Sequence, residues 1–160
     1  RHEPSGTQKR EIAFNAVPQI DLFDEGGYSK EEIKMANETR KIFHAPDIAI
    51  SATCVRIPTF FGHAMNVWAE FENPITPGEA RDLIATAKGV RLVDDPSQEL
   101  YPTPMDVAGT DEVLVGRLRG DSSRPGGITL WTVTDSIRKG AATNVVQIIE
   151  AAAERGLIRR

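Results

Sequence analysis

The chain has 160 residues, long enough to bury a core without disulfides, and its 40% apolar and 26% charged content is ordinary for a globular domain. With 19 Lys and Arg against 23 Asp and Glu the net charge is −4, and no basic block stands out, which argues against nucleic-acid binding by charge. No apolar run approaches the roughly 20 residues that cross a bilayer. The single cysteine excludes an intramolecular disulfide and a cysteine-rich zinc site. No signal-peptide pattern is visible, so the expected location is the cytoplasm. The chain opens Arg1-His2-Glu3-Pro4 without a methionine, which suggests a piece of something longer.

Residues 1–10 are polar and read as a linker or domain-boundary tail, leaving 11–160 as the folded domain. Ile12 to Val17 is a short apolar run stopped by Pro18, a candidate buried strand. Ser29 and Glu32 form a capping box for a helix whose buried face would hold Ile33, Ala36 and Phe43, with Pro46 beyond its end. Ile48 to Ile57 is β-branched and apolar, the pattern of a strand buried on both faces. From His63 to Phe71 apolar and polar residues alternate, predicting a half-buried strand with His63, Met65, Val67, Ala69 and Phe71 on its apolar face. Thr76-Pro77-Gly78-Glu79 opens a second helix, and Gly89 follows it. Val90–Val93, Val113–Leu118 and Ile128–Val133 read as strands, and a last helix is expected from about Lys139 to Arg155. The alternation of elements predicts an α+β domain: a mixed, largely antiparallel sheet with helices packed on one face.

Several side chains could carry chemistry. His63 is a candidate general base, or a satisfied, partly buried histidine. Arg56 lies inside an apolar run, where a guanidinium needs either an internal acid or a ligand carboxylate. Glu31 and Lys34 share one helix face, as a solvated pair or as ligand contacts. Cys54 sits among apolar neighbours and reads as a core residue rather than a nucleophile. Arg138 to Asn144 joins a strand to a helix and could receive an anion, or could serve only close helix–sheet packing. No glycine-rich phosphate loop and no metal-ligand spacing is present.

The stretches IAFNAVPQID, YSKEEIKMANETRKI, SATCVRIPTFFGH, YPTPMDVAGTDEVLVGRLR and LWTVTDSIRKGAATNVVQI, in this order, resemble the C-terminal domain of the aspartate-semialdehyde dehydrogenase family. The resemblance implies a substrate-binding and dimerisation domain of the kind found in glyceraldehyde-3-phosphate-dehydrogenase-like enzymes. It implies His63 as the acid/base residue, matching the end of an R-x-P-x-x-x-G-H stretch that starts at Arg56. Arg56 would bind the substrate carboxylate, Glu31 would orient the substrate through its amine, and Lys34 would bind phosphate or the acyl phosphate. Asn144 would approach the nicotinamide end of NADP, and no residue would bind a metal. The implied reaction is the NADPH-dependent reductive dephosphorylation of β-aspartyl phosphate to aspartate semialdehyde, and its reverse, in biosynthesis of lysine, methionine and threonine. The family's nucleophilic cysteine and NADP domain would lie upstream of these residues, so the chain by itself is expected to be inactive. The implied assembly is a homodimer or a tetramer, with no nucleic-acid or membrane partner. Two rivals are a related reductase of N-acetylglutamyl phosphate and a non-catalytic dehydrogenase-like dimerisation module.

Overall fold

The computed structural model describes residues 10 to 158. Most of the tail expected at residues 1–10, His2 included, lies outside the described residues. The chain divides into two compact units, one ending at Pro58 and one beginning at Thr59.

The first unit is built around helix α1 (Lys30–Ile42). Its capping box forms as the sequence predicts: the Ser29 hydroxyl accepts from the Glu32 N–H, and the Glu32 carboxylate accepts from the Ser29 N–H. Acidic Glu31 and Glu32 fill the first turn and basic Arg40 and Lys41 the last, each opposing the helix dipole. The helix ends at Phe43, before Pro46. Its predicted buried face is corrected. Ile33 and Ala36 are half-buried, Phe43 is exposed, and the one buried residue of α1 is Glu32.

Two further expectations for this unit fail. Ile12–Val17 and Ile48–Ile57 are not strands. Between them they form one isolated antiparallel bridge, in which Val17 N–H donates to the Arg56 carbonyl at 2.9 Å and Arg56 N–H to the Val17 carbonyl at 2.8 Å. Ile48, Val55 and Ile57 are exposed, and Cys54 is the buried residue of that run. Apolar, β-branched composition makes a segment suited to a sheet, but a ladder also needs a neighbour to accept its backbone bonds.

The second unit carries the sheet. Strands β1 (His63–Ala69), β2 (Val90–Leu92), β3 (Val113–Gly120) and β4 (Ile128–Thr134) lie in the order β1-β4-β3-β2. The β1–β4 and β3–β4 pairs are antiparallel and β2–β3 is parallel, so the sheet is mixed and largely antiparallel, as expected of the α+β class. Helix α2 (Pro77–Thr86) has its capping box between Thr76 and Glu79 and Pro77 in the first turn. It packs Ala80 and Ile84 against Leu118, Ile128, Ala69 and Leu130. A second cluster gathers Val107, Leu114 and Val133, with Ala64, Val93 and Trp131 around them.

The register of β3 shifts between Gly116 and Arg119, where Arg117 has φ of 54°. A fully enclosed Asp94 carboxylate accepts from the Arg117 and Leu118 N–H groups at 2.7 and 3.2 Å, and Arg81 pairs with it at 2.7 Å. The irregular strand therefore leaves neither N–H unsatisfied. Helix α3 (Thr143–Glu154) begins later than expected, because Arg138–Ala142 forms a π turn first; Gly156, with φ of 68°, follows it. Among the described residues, no helix is long and apolar enough to cross a membrane.

Candidate active site

In the first unit the structure places Glu31, Lys34 and Arg56. Glu31 and Lys34 lie one turn apart on α1, and the Lys34 ammonium donates to Glu31 at 3.3 Å. Both are solvent-accessible, so this contact fixes little energy and leaves both groups available to a ligand. Arg56 is exposed, which corrects the expectation of a guanidinium inside a buried strand. Its backbone is fixed to Val17 on both the N–H and C=O sides, while its side chain enters no ion pair among the described residues. The backbone beneath it is fixed, and the exposed guanidinium offers a planar fork suited to a carboxylate.

Cys54 is buried. Burial pushes its thiol pKa up, and the Glu32 and Glu31 carboxylates push it further. Its Sγ lies 3.4 Å from the Met35 sulfur, a packing contact. A raised pKa and a closed environment oppose thiolate formation, in keeping with the reading of Cys54 as a core residue.

In the second unit His63 opens β1, opposite Thr134 of β4. It is exposed, as is Met65, whereas Ala64 packs on the Val107–Leu114–Val133 cluster, so the predicted apolar face of β1 is not buried at its start. Gly62 sets the approach to this histidine. It has φ of 72°, and a Cβ there would lie 2.9 Å from the Thr134 carbonyl oxygen and 3.0 Å from the Val107 methyl. Only glycine supplies that turn without displacing β4 or the core cluster.

Asn144 is exposed in the first turn of α3. The turn before it is organised by two aspartates that the sequence reading did not single out. Buried Asp135 accepts from the N–H groups of Gly109, Ile137 and Arg138 at 2.8 to 2.9 Å, and these bonds hold its pKa low. Asp111 receives the Arg138 guanidinium through two bonds of 2.8 and 2.7 Å and the Thr143 hydroxyl at 2.6 Å. Those hydrogen bonds lower its pKa to about 2. Lys139 in turn donates to Gln147. The two cations thought able to receive an anion are thus already engaged by neighbours. For Asp135 the sequence signal is weak, because an aspartate directly after a strand and three residues before an arginine is a common turn pattern, and for Asp111, 27 residues before Arg138, there is none.

Shallow clefts of about 390 and 360 Å³ lie beside Arg40 and His44 in the first unit and beside Tyr101 and Trp131 in the second. Neither is lined by Glu31, Lys34, Arg56, His63 or Asn144. Among the described residues, no three His, Cys, Asp or Glu side chains group as a metal ion would require.

Residues 1–139 match the family model described as "Semialdehyde dehydrogenase, dimerisation domain". The chain belongs to that family. It is 53% identical over 148 residues to an aspartate-semialdehyde dehydrogenase of Aquifex aeolicus, covering 92% of this chain and 44% of the relative. It is 49% identical over 149 residues to the enzyme of that name from Bacillus subtilis, covering 92% and 43%. Among solved structures it superposes with a TM-score of 0.88 and 46% identity on aspartate semialdehyde dehydrogenase II of Vibrio cholerae complexed with ASA, over 94% of this chain and 44% of that one. This semialdehyde dehydrogenase dimerisation domain therefore spans less than half the length of the named relatives it matches. Its α+β architecture is that of the corresponding part of the solved enzyme.

Proposed function

We propose that this chain is the substrate-binding and dimerisation half of an NADP-dependent, cytoplasmic aspartate-semialdehyde dehydrogenase. The full-length protein would reduce β-aspartyl phosphate to aspartate semialdehyde with loss of phosphate, and run the reverse reaction. The observation that carries this reading is Arg56: an exposed guanidinium on a backbone pinned to Val17, without an ion-pair partner among the described residues. It supplies the cationic end of a grip on a small amino acid's carboxylate, from a fixed point on the backbone. Glu31 accepts from the substrate amine and Lys34 offsets the phosphate charge. Holding a short substrate at three charged points turns binding energy into orientation.

His63 moves the proton at the carbonyl oxygen as the tetrahedral thiohemiacetal forms or collapses. The buried, high-pKa Cys54 is unsuited to attack the carbonyl, so the nucleophilic thiol would come from outside these 160 residues. The polypeptide alone would accordingly show no dehydrogenase activity. The exposed Asn144 carboxamide, reached through small Gly140, Ala141 and Ala142, fits a nicotinamide approaching the start of α3. When bound, the nicotinamide cofactor supplies the hydride. Most of its contacts would come from a separate NADP domain. The homodimer, or a tetramer of the same chain, rests on the family's dimerisation role.

The test uses the full-length protein, NADP+, phosphate and either aspartate semialdehyde or its N-acetylglutamate counterpart. Turnover of aspartate semialdehyde, with KM raised by Glu31→Gln, is the expected result. Preference for the N-acetylated substrate would overturn the proposal, because an acylated nitrogen offers no ammonium to Glu31. Absence of turnover with both would favour a non-catalytic module.

A further inference from the structure

Glu32 is buried, with 6% of its surface exposed, although it lies one position from Glu31 on a helix. A buried carboxylate is costly unless its oxygens are satisfied, and here both are. One oxygen accepts from the Ser29 N–H at 2.7 Å and completes the capping box. The other accepts from the Cys54 N–H, also at 2.7 Å, 22 residues along the chain. The helix cap needs only the first of these bonds. The second ties α1 to a segment that has no strand ladder of its own. That segment is fixed again two residues later, where the Arg56 backbone pairs with Val17. The stretch 54–56 is therefore held at one end by Glu32 and at the other by Val17, with Glu31 adjoining Glu32 and Lys34 following on the same helix.

We propose that Glu32 is a positioning residue: its bond to the Cys54 N–H sets the spacing between Glu31 and Lys34 on α1 and the guanidinium of Arg56, and so the fit of the substrate between them. This rests on the substrate-binding roles given above to Glu31, Lys34 and Arg56.

In the full-length enzyme, Glu32→Gln leaves one carbonyl oxygen for two N–H donors and breaks one of the two bonds. We expect KM for aspartate semialdehyde to rise about tenfold while kcat changes by less than about threefold, because the shifted groups bind the substrate's fixed charges equally in the ground and transition states, and loss of such uniform binding raises KM alone. Glu32→Asp, one methylene shorter, is a milder second variant in which KM should rise about threefold for the same loss of uniform binding. Ser29→Ala weakens the cap from its other side and leaves the Cys54 bond in place. It should lower Tm yet keep KM within about twofold of the parent. Unchanged KM in folded Glu32 variants overturns the proposal, as does an equal KM rise in Ser29→Ala. Glu31→Gln and Arg56→Lys are assayed alongside. If both leave KM unchanged, the substrate-binding reading itself has failed; if they raise KM and the Glu32 variants do not, only the positioning role has.

Discussion

Up to Pro58 the described chain buries Val17, Ser29, Glu32 and Cys54, whereas from Thr59 it buries two apolar clusters on a four-stranded sheet. The first unit is held mainly by polar pins: a capping box, a carboxylate on a distant N–H, and one backbone bridge. The second is held by register and by close-packed aliphatic side chains. Each candidate group sits on the device its unit offers. Arg56 depends on a bridge and its neighbour's bond to Glu32, while His63 depends on strand pairing and on the glycine before it. Side chains that must stay exposed to meet a ligand can thus be fixed through their backbones by either route.

The largest expected effect separates these two kinds of order. Leu114 is 1% exposed between Val107 and Val133. Leu114→Ala should lower unfolding stability by about 2–5 kcal/mol, from lost transfer energy and the cavity left behind. Ser29→Ala, which removes only a cap in the first unit, should cost about 0.5–2 kcal/mol. Urea unfolding of both variants measures the contrast. A cap loss equal to the core loss would mean that polar pins are as strong as packing here.

His63→Ala tests whether exposure at the start of β1 means function rather than stability. In the full-length enzyme kcat should fall about 10²-fold or more, the usual worth of a positioned acid/base group. Tm should hardly move, because the exposed imidazole leaves no cavity. A loss under about fivefold would remove His63 from proton transfer, on the same scale.

Gly62→Ala sharpens the point that the glycine, not the histidine, carries the backbone geometry. A non-glycine residue at φ of 72° is strained, and its Cβ would press on the Thr134 carbonyl and the Val107 methyl. The expected cost is about 1–3 kcal/mol of stability, together with a fall in kcat as His63 is displaced. Stability and rate falling together would distinguish it from His63→Ala, where only the rate should fall.

The sequence made the second unit more legible than the first, for a physical reason. The apolar runs of β1, β3 and β4 stand as strands because each has a pairing partner, although alternation misplaces the buried face of β1 at His63 and Met65, and the Thr76-x-x-Glu79 box caps α2 where it stands. Ile48–Ile57 carries the same apolar signal without a strand beside it, and composition does not name the hydrogen-bond partner. Glu32 was legible as half of a capping box, but its bond to Cys54 joins positions 22 apart and has no local signature. Arg56, Glu31, Lys34, His63 and Asn144 came from an ordered set of motifs. Asp111 and Asp135, which shape the turn before Asn144, came only from the contacts.

The smallest expected effect concerns Asp111. Its pKa is about 2 in the folded chain against 3.8 without its partners, because Arg138 and Thr143 hydrogen-bond the ionised form. A depressed folded pKa means that the unfolded chain takes up the proton first as pH falls. The stabilisation is therefore complete only about a unit above pH 3.8, and is lost progressively as pH falls past 3.8 and through about 2. The pair is nearly half exposed, so solvent and salt screen it and the effect should be modest. Asp111→Asn should make unfolding stability less steep in pH than the parent across that acid window, with the difference shrinking in high salt. Identical slopes would mean that the Asp135 bonds alone hold the turn before α3, and that the second unit orders this connection through buried acceptors rather than through its surface ion pair.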